Sequence, residues 1–268
     1  MNAVSGTLLG VGALVLFFSG RPLVAPFGLV GLGVAQWLLL AAPVLTALYL
    51  GGIDLRRALA LHPVSARTLG GGTLVMLGAL GMNSVVAWVQ SFWIEVPEGL
   101  VEVLEGAMRA AGPGELALIL LAAALTPAIC EEIVFRGILL QSWKRWPAAL
   151  AIGVNAALFG AIHWLPGSAV RVLPAAVSGA AIAWVVWRAR SLWAGVWMHG
   201  INNGMLILAT TVVAAPQPGA TPSGLDPVEL GPPSPIAVAL FLVLLVAGGR
   251  LVRPLPTLRD STSSTTSA

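Results

Sequence analysis

Residues 116–136 read LALILLAAALTPAICEEIVFR, an apolar run that ends in two adjacent glutamates, Glu131 and Glu132. The run is close to the roughly 20 residues that a helix needs to cross the hydrocarbon of a bilayer. An acidic side chain at the centre of such a helix costs roughly 3 kcal/mol on insertion scales. Two of the three histidines, His163 and His199, also lie in apolar segments further along the chain. The sequence therefore predicts a polar site inside a membrane protein.

The composition of the whole chain is that of a membrane protein. Of its 268 residues, 57% are hydrophobic and only 9% are charged, and the mean hydropathy is +0.91. Soluble domains carry about 25% charged residues. The apolar runs are long and continuous, which favours helices over the short alternating strands of a transmembrane barrel. We therefore expect an all-α, polytopic helical bundle whose main partner is the lipid bilayer.

The bundle is predicted to contain about eight transmembrane helices. They cover residues 4–20, 27–50, 69–93, 115–139, 147–166, 170–187, 191–214 and 235–249. With the N-terminus in the cytoplasm, ten of the fourteen Lys and Arg residues fall in inner loops or the C-terminal tail, as the positive-inside rule requires. Both termini are therefore predicted to be cytoplasmic. The protein is expected to be a multi-pass integral membrane protein, of the plasma membrane if its source is prokaryotic. The same placement explains the pI of about 10 without a nucleic-acid partner.

Three parts of the chain are predicted to differ in their roles. Residues 1–114 hold the first three transmembrane helices and an outer loop with an amphipathic pattern. Residues 115–210 hold the buried acids and histidines, and form the predicted catalytic core. Residues 211–268 hold an outer Pro-rich loop, the last transmembrane helix and a Ser/Thr-rich tail that is expected to be disordered.

The first polar cluster is Glu131-Glu132-Ile-Val-Phe-Arg136. On a helix, Glu132 and Arg136 are four residues apart and share a face, so their charges can pair. Such a pair accounts for both side chains as structure, since a lone arginine at this depth would be very costly. Glu131 is rotated by about 100° from Glu132 and must face something else.

Two further clusters repeat a spacing of four residues on later helices. Asn155, Phe159 and His163 form one stripe, and His199 and Asn203 form another. Each polar residue alone could be a hydrogen-bonding link between helices. A Glu, two His and an Asn on three separate helices are what a shared polar cavity would need. Pro127 precedes Glu131 by one turn and is expected to leave carbonyl oxygens free near the site.

These three motifs resemble those of the CPBP family, which includes the type II CAAX prenyl proteases and bacterial relatives linked to bacteriocin self-immunity. The matching segments are Glu131-Glu132-x-x-x-Arg136, Phe159-x-x-x-His163 and His199-x-x-x-Asn203, in that order and without departure. The resemblance covers roughly residues 115–210. It implies an intramembrane endopeptidase, whose substrate would be a membrane-associated peptide or protein, prenylated or otherwise anchored.

The same resemblance implies a role for each residue of the motifs. Glu131 would be the general base that activates water, assisted by His163. His199 and Asn203 would stabilise the oxyanion of the tetrahedral intermediate. Glu132 and Arg136 would support the shape of the site, together with Phe159 and Asn155.

Metal dependence stays open at this point. Glu131, His163 and His199 could form a His₂Glu zinc site with one open position. The sequence has no His-Glu-x-x-His motif, however, so the usual zinc-protease geometry is absent. If all three residues bound zinc, some other group would have to activate water. Glu132 is paired with Arg136, and the interiors of the predicted helices hold no further carboxylate. We therefore favour a metal-independent glutamate mechanism with no cofactor, and keep zinc as the alternative.

Two other functions compete with the peptidase hypothesis. A non-catalytic immunity or interaction protein could use the same cluster to bind a peptide or another membrane protein. A proton-coupled transporter also needs buried Glu and His. The absence of a detectable inverted repeat argues against a transporter.

Overall fold

The computed structural model describes residues 2–97, 99–164, 169–212 and 231–253. Within these ranges the chain is mainly helical and contains no β-strand, so the predicted all-α class is confirmed. The helices are α1 (Ala3–Val24), α2 (28–50), α3 (Leu55–Ala58), α4 (Ala66–Gln90), α5 (Leu100–Met108), α6 (Pro113–Ser142), α7 (Ala148–Ala161), α8 (Val172–Ala189), α9 (Leu192–Val212) and α10 (Pro235–Leu251).

Four helical stretches of the described chain are long and apolar enough to cross a membrane: Ala3–Leu50, Ala66–Gln90, Pro113–Ser142 and Val172–Ala189. The first is 48 residues long. It contains two of the predicted spans, because the chain turns at Gly28, whose φ is 55°, and α2 packs back along α1. Each of the other predicted spans overlaps one helix. The number of crossings and the orientation of the termini stay predictions.

One predicted span was wrong in its extent. The fifth, 147–166, is a shorter helix, Ala148–Ala161, and His163 lies in the turn after it. Hydropathy alone missed this end, because Ile162 and Trp164 continue the apolar pattern past the last helical residue. The amphipathic stretch of the outer loop forms the nine-residue helix α5. The predicted Pro-rich loop and disordered tail fall mainly on 213–230 and 254–268, which lie outside the described residues.

Helix α6 is the central helix of the bundle. In its most apolar window 67% of the residues are buried, against 22% to 39% in the other three long stretches. Cys130, Phe135 and Ile138 on this helix are completely buried in the apolar core. The helices around α6 therefore present much of their apolar surface outward, as expected where lipid takes the place of a partner helix.

Two π-helical segments interrupt α6, at Leu120–Leu125 and Ile133–Leu139. They enclose the seven α-helical residues Thr126–Glu132, which carry both glutamates. A π segment inserts one extra residue per turn and so rotates the following side chains around the helix axis, and such segments occur often at functional sites. The two glutamates are thereby presented from a short α-helical piece between two irregular ones.

Glycines set the closest approaches between helices. A Cβ on Gly160 would lie 2.6 Å from the Val172 carbonyl oxygen, so α7 and the start of α8 touch backbone to backbone. The last helix packs on α4 in the same way, since a Cβ on Gly248 would lie 2.6 Å from the Gly71 carbonyl oxygen. Small residues at helix interfaces are typical of membrane bundles.

Candidate active site

Glu132 and Arg136 form the predicted pair. The Arg136 Nη1 donates to Glu132 Oε1 at 2.8 Å, and neither side chain is exposed. Arg136 Nη2 donates to the Gly179 carbonyl oxygen on α8 at 2.9 Å. The guanidinium also lies over the Phe159 ring, 4.4 Å from its centroid. This arginine therefore ties together α6, α7 and α8, and Glu132 compensates its charge.

Glu132 has a second partner that the spacing of the motif did not predict. His199 Nδ1 lies 2.9 Å from the same Glu132 Oε1. Because an ionised carboxylate only accepts, the hydrogen of this bond belongs to Nδ1, and His199 is held in one orientation. Gly195 is one helical turn earlier, and a Cβ there would lie 2.6 Å from Glu132 Oε2. The glutamate reaches His199 because residue 195 has no side chain.

Glu131 faces the other side of His199. Its Oε2 lies 3.9 Å from His199 Nε2, which is too long for a direct hydrogen bond and compatible with two groups that share one water. Among the residues that the structure describes, Glu131 Oε2 has no hydrogen-bond partner. The residue is 9% exposed. One carboxylate oxygen is thus directed at an imidazole nitrogen and is left available for chemistry.

The other oxygen of Glu131 has a partner from outside the predicted core. Gln36 Nε2, on α2, donates to Glu131 Oε1 at 2.9 Å. The sequence analysis missed this residue. The available signal was an amide within the apolar run 27–50, which alone does not tell a site residue from a link between helices.

Phe159 is the common neighbour of the polar side chains. Its ring centroid lies 4.8 Å from that of His163 and 5.6 Å from that of His199. His163 Nδ1 lies 2.7 Å from the Phe159 carbonyl oxygen, which assigns the hydrogen to Nδ1 and leaves Nε2 as the acceptor. Asn155, on the same stripe, donates from Nδ2 to the Phe135 carbonyl oxygen at 2.8 Å. Asn155 therefore joins α7 to α6 and does not face His163.

Glu131 also interacts electrostatically with His163 and with Arg171, which precedes α8. Burial lowers the pKa of Arg171, and the negative charge of Glu131 opposes this change. The motifs did not single out Arg171. The structure adds it to the electrostatic surroundings of the site.

A chain of hydrogen bonds leads to Asn203. Asn83 Nδ2 on α4 donates to Ser178 Oγ at 2.9 Å, and Ser178 Oγ donates to Asn202 Oδ1 at 3.2 Å. Asn202 Nδ2 then donates to Asn203 Oδ1 at 2.9 Å. The amide of Asn203 is completed by a bond from its Nδ2 to the Ala123 carbonyl oxygen at 3.2 Å. Contacts from α4, α6 and α8 thus fix the plane of the Asn203 amide. The second N–H of this amide takes no part in these hydrogen bonds.

The carbonyl that Asn203 uses lies one turn before Pro127, at the π-helical segment Leu120–Leu125. Proline has no N–H to donate to a carbonyl of the preceding turn. The free carbonyl expected near the site from Thr126-Pro127 stays a prediction, and Ala123 is a candidate for it.

Glu131, His163 and His199 are the three residues considered for zinc. Within the described part of the chain, no group of three His, Cys, Asp or Glu side chains is placed to hold a metal ion. His199 directs Nδ1 at Glu132, and His163 directs Nδ1 at a backbone carbonyl, so Nε2 is the nitrogen of each histidine that is left for chemistry.

Residues 113–205 match the family model described as Type II CAAX prenyl endopeptidase Rce1-like. The matched segment is about a third of the chain and contains all eight residues that the motifs singled out. It confirms the resemblance inferred from the motifs and supports a CAAX-type intramembrane protease in general terms. Gln36 and Asn83 lie outside it. No curated protein and no solved structure matches the chain.

Proposed function

We propose that this protein is an intramembrane endopeptidase that uses Glu131 to activate water. Its substrate is a peptide bond in a membrane-associated or lipidated protein or peptide. The supporting observation is Glu131 Oε2, which is buried, has no partner among the described residues and lies 3.9 Å from His199 Nε2. This oxygen is the acceptor that a general base needs.

In the first step a water molecule lies against Glu131 Oε2. The carboxylate takes one proton from the water while the oxygen of the water attacks the carbonyl carbon of the scissile bond. His163, whose Nε2 is an acceptor and which interacts with the charge of Glu131, assists this transfer. The tetrahedral intermediate then collapses, the C–N bond breaks, and the proton passes to the leaving amine.

The negative oxygen of the intermediate needs donors. Asn203 supplies one, since its Oδ1 and one N–H are held by Asn202 and Ala123 and the second N–H is directed by the rigid amide. His199 supplies another from Nε2 when that nitrogen carries a hydrogen. One such donor in a site of low dielectric is worth about 3 to 4 kcal/mol.

A cleavage assay tests the proposal. The protein, purified in detergent, is given fluorogenic peptides with and without a prenyl group. We expect wild type to cleave at least one of them and Glu131→Gln to lose activity by roughly 100-fold or more, since a general base contributes factors of about 10² to 10⁴. Glu115→Gln is the matched control, because it makes the same chemical change at the exposed start of the same helix.

Other outcomes would contradict the proposal. Glu131→Gln with wild-type activity would remove its role as base, and loss of activity with a chelator that zinc restores would favour a metalloprotease. A folded wild type that binds peptides without cleaving any would favour the interaction protein. Peptide uptake into liposomes that requires a proton gradient would favour the transporter.

A further inference from the structure

Gln36 lies at the first position of a π-helical segment in α2, Gln36–Ala41. Its side chain is turned into the bundle, with 3% of its surface exposed, whereas the next two residues, Trp37 and Leu38, are 42% and 63% exposed. The segment packs against the part of α6 that carries the two glutamates. Within the π segment, the amide of Gln36 therefore faces the bundle, while the side chains of the next two residues face outward.

The amide of Gln36 has one hydrogen-bond partner among the described residues, and this partner is Glu131. Nε2 donates to Glu131 Oε1 at 2.9 Å, and Gln36 Oε1 is buried without a partner in the described chain. A buried amide is unfavourable unless its groups are bonded. An amide that leaves its own oxygen unsatisfied and meets a carboxylate is better explained by a role at the site than by helix packing.

We propose that Gln36 is a positioning residue for Glu131, and that α2, outside the matched segment, therefore completes the active site. This inference rests on the proposed function. By occupying Oε1, Gln36 prevents the carboxylate from rotating and leaves Oε2 as the oxygen that faces His199 Nε2.

The test compares three variants in the full-length protein. Gln36→Met keeps the length of the side chain and removes the amide. Gln36→Asn keeps the amide but is one methylene too short to reach Glu131. Leu38→Met is the matched control, because it lies on the same π segment and faces outward. Size-exclusion profiles and thermal unfolding identify any variant that does not fold.

We expect Gln36→Met and Gln36→Asn to lower kcat by roughly tenfold, which is less than the about 100-fold or more that the loss of a direct oxyanion donor costs, with KM changed by less than about twofold. Leu38→Met should behave as wild type. A purely structural role would instead lower the folded fraction and leave the kcat of the folded protein unchanged. A kcat for Gln36→Met equal to that of wild type would overturn the inference.

A second readout does not depend on cleavage. Carbodiimides modify carboxyl groups that they can reach, so mass spectrometry can follow the labelling of Glu131 in each variant. Loss of the Gln36 donor frees Glu131 Oε1, and labelling should be faster in Gln36→Met than in wild type or Leu38→Met. If wild type cleaves no peptide, the proposed function fails, but the labelling rate of Glu131 still tests its contact with Gln36. Equal labelling rates would overturn the contact itself.

Discussion

The two adjacent glutamates have different surroundings. Glu132 is completely buried, its Oε1 is shared by Arg136 and His199 at 2.8 and 2.9 Å, and its Oε2 has no partner among the described residues. Glu131 has one hydrogen bond, from Gln36, and its Oε2, also without a partner among the described residues, lies 3.9 Å from His199 Nε2. We therefore expect Glu132 to support the structure and Glu131 to carry the chemistry, although they are neighbours in the chain.

This difference predicts separate effects on stability and activity. Glu132→Ala should lower the free energy of unfolding by about 3 to 5 kcal/mol, because it leaves Arg136 as an uncompensated buried charge. Glu131→Ala should abolish cleavage and change stability by much less. Thermal unfolding of the two purified variants, measured beside wild type, checks this. Equal unfolding temperatures for the two variants would refute the division of roles.

At the scale of the helical elements, the sequence showed which residues form the motifs. It predicted only some of the contacts that these helices make. Spacing of four residues placed Glu132 with Arg136. The contacts of Gln36 and Asn83 were not predictable, because each is a single amide in an apolar helix, and its partner lies 95 residues away. The place of His163 after α7 was missed because hydropathy does not mark where a helix ends.

The hydrogen-bond chain to Asn203 makes a prediction about α4. Asn83→Leu removes its first donor, and Ser178 and Asn202 then lose a fixed orientation. We expect a loss of about 1 kcal/mol of transition-state stabilisation, which is about fivefold in kcat. Ser84→Ala, at the next and exposed position, is the control. Steady-state kinetics of both variants test this prediction. An unchanged kcat in Asn83→Leu would show that Asn83 does not contribute to catalysis.

At the scale of the whole molecule, the matched segment is enclosed by helices that it does not include. Helix α10 is held on α4 through glycines, and α4 in turn carries Asn83 toward the site. Packing of this kind leaves no room for a side chain, because the atoms in contact are backbone atoms that cannot move alone.

Adjacent glycines on α4 test this packing. A Cβ on Gly71 would lie 2.8 Å from the Gly248 carbonyl oxygen and from Leu251 Cβ, whereas a Cβ on Gly70 would meet nothing within 4 Å. Gly71→Ala should therefore destabilise the protein by about 1 to 3 kcal/mol. Gly70→Ala should leave stability unchanged or raise it by up to about 1 kcal/mol, since alanine favours the helix. Thermal unfolding in detergent compares them, and a stable Gly71→Ala would contradict the close contact.

Alkylation of Cys130 can report on how the packing around the central helix opens. Cys130 is the chain's single cysteine, it is completely buried, and it directly precedes Glu131 on the central helix. A thiol reagent can reach it only when the packing around α6 loosens. The alkylation rate of Cys130 in the wild-type protein therefore measures how often the packing around α6 opens. A substrate that holds α6 in place would lower this rate.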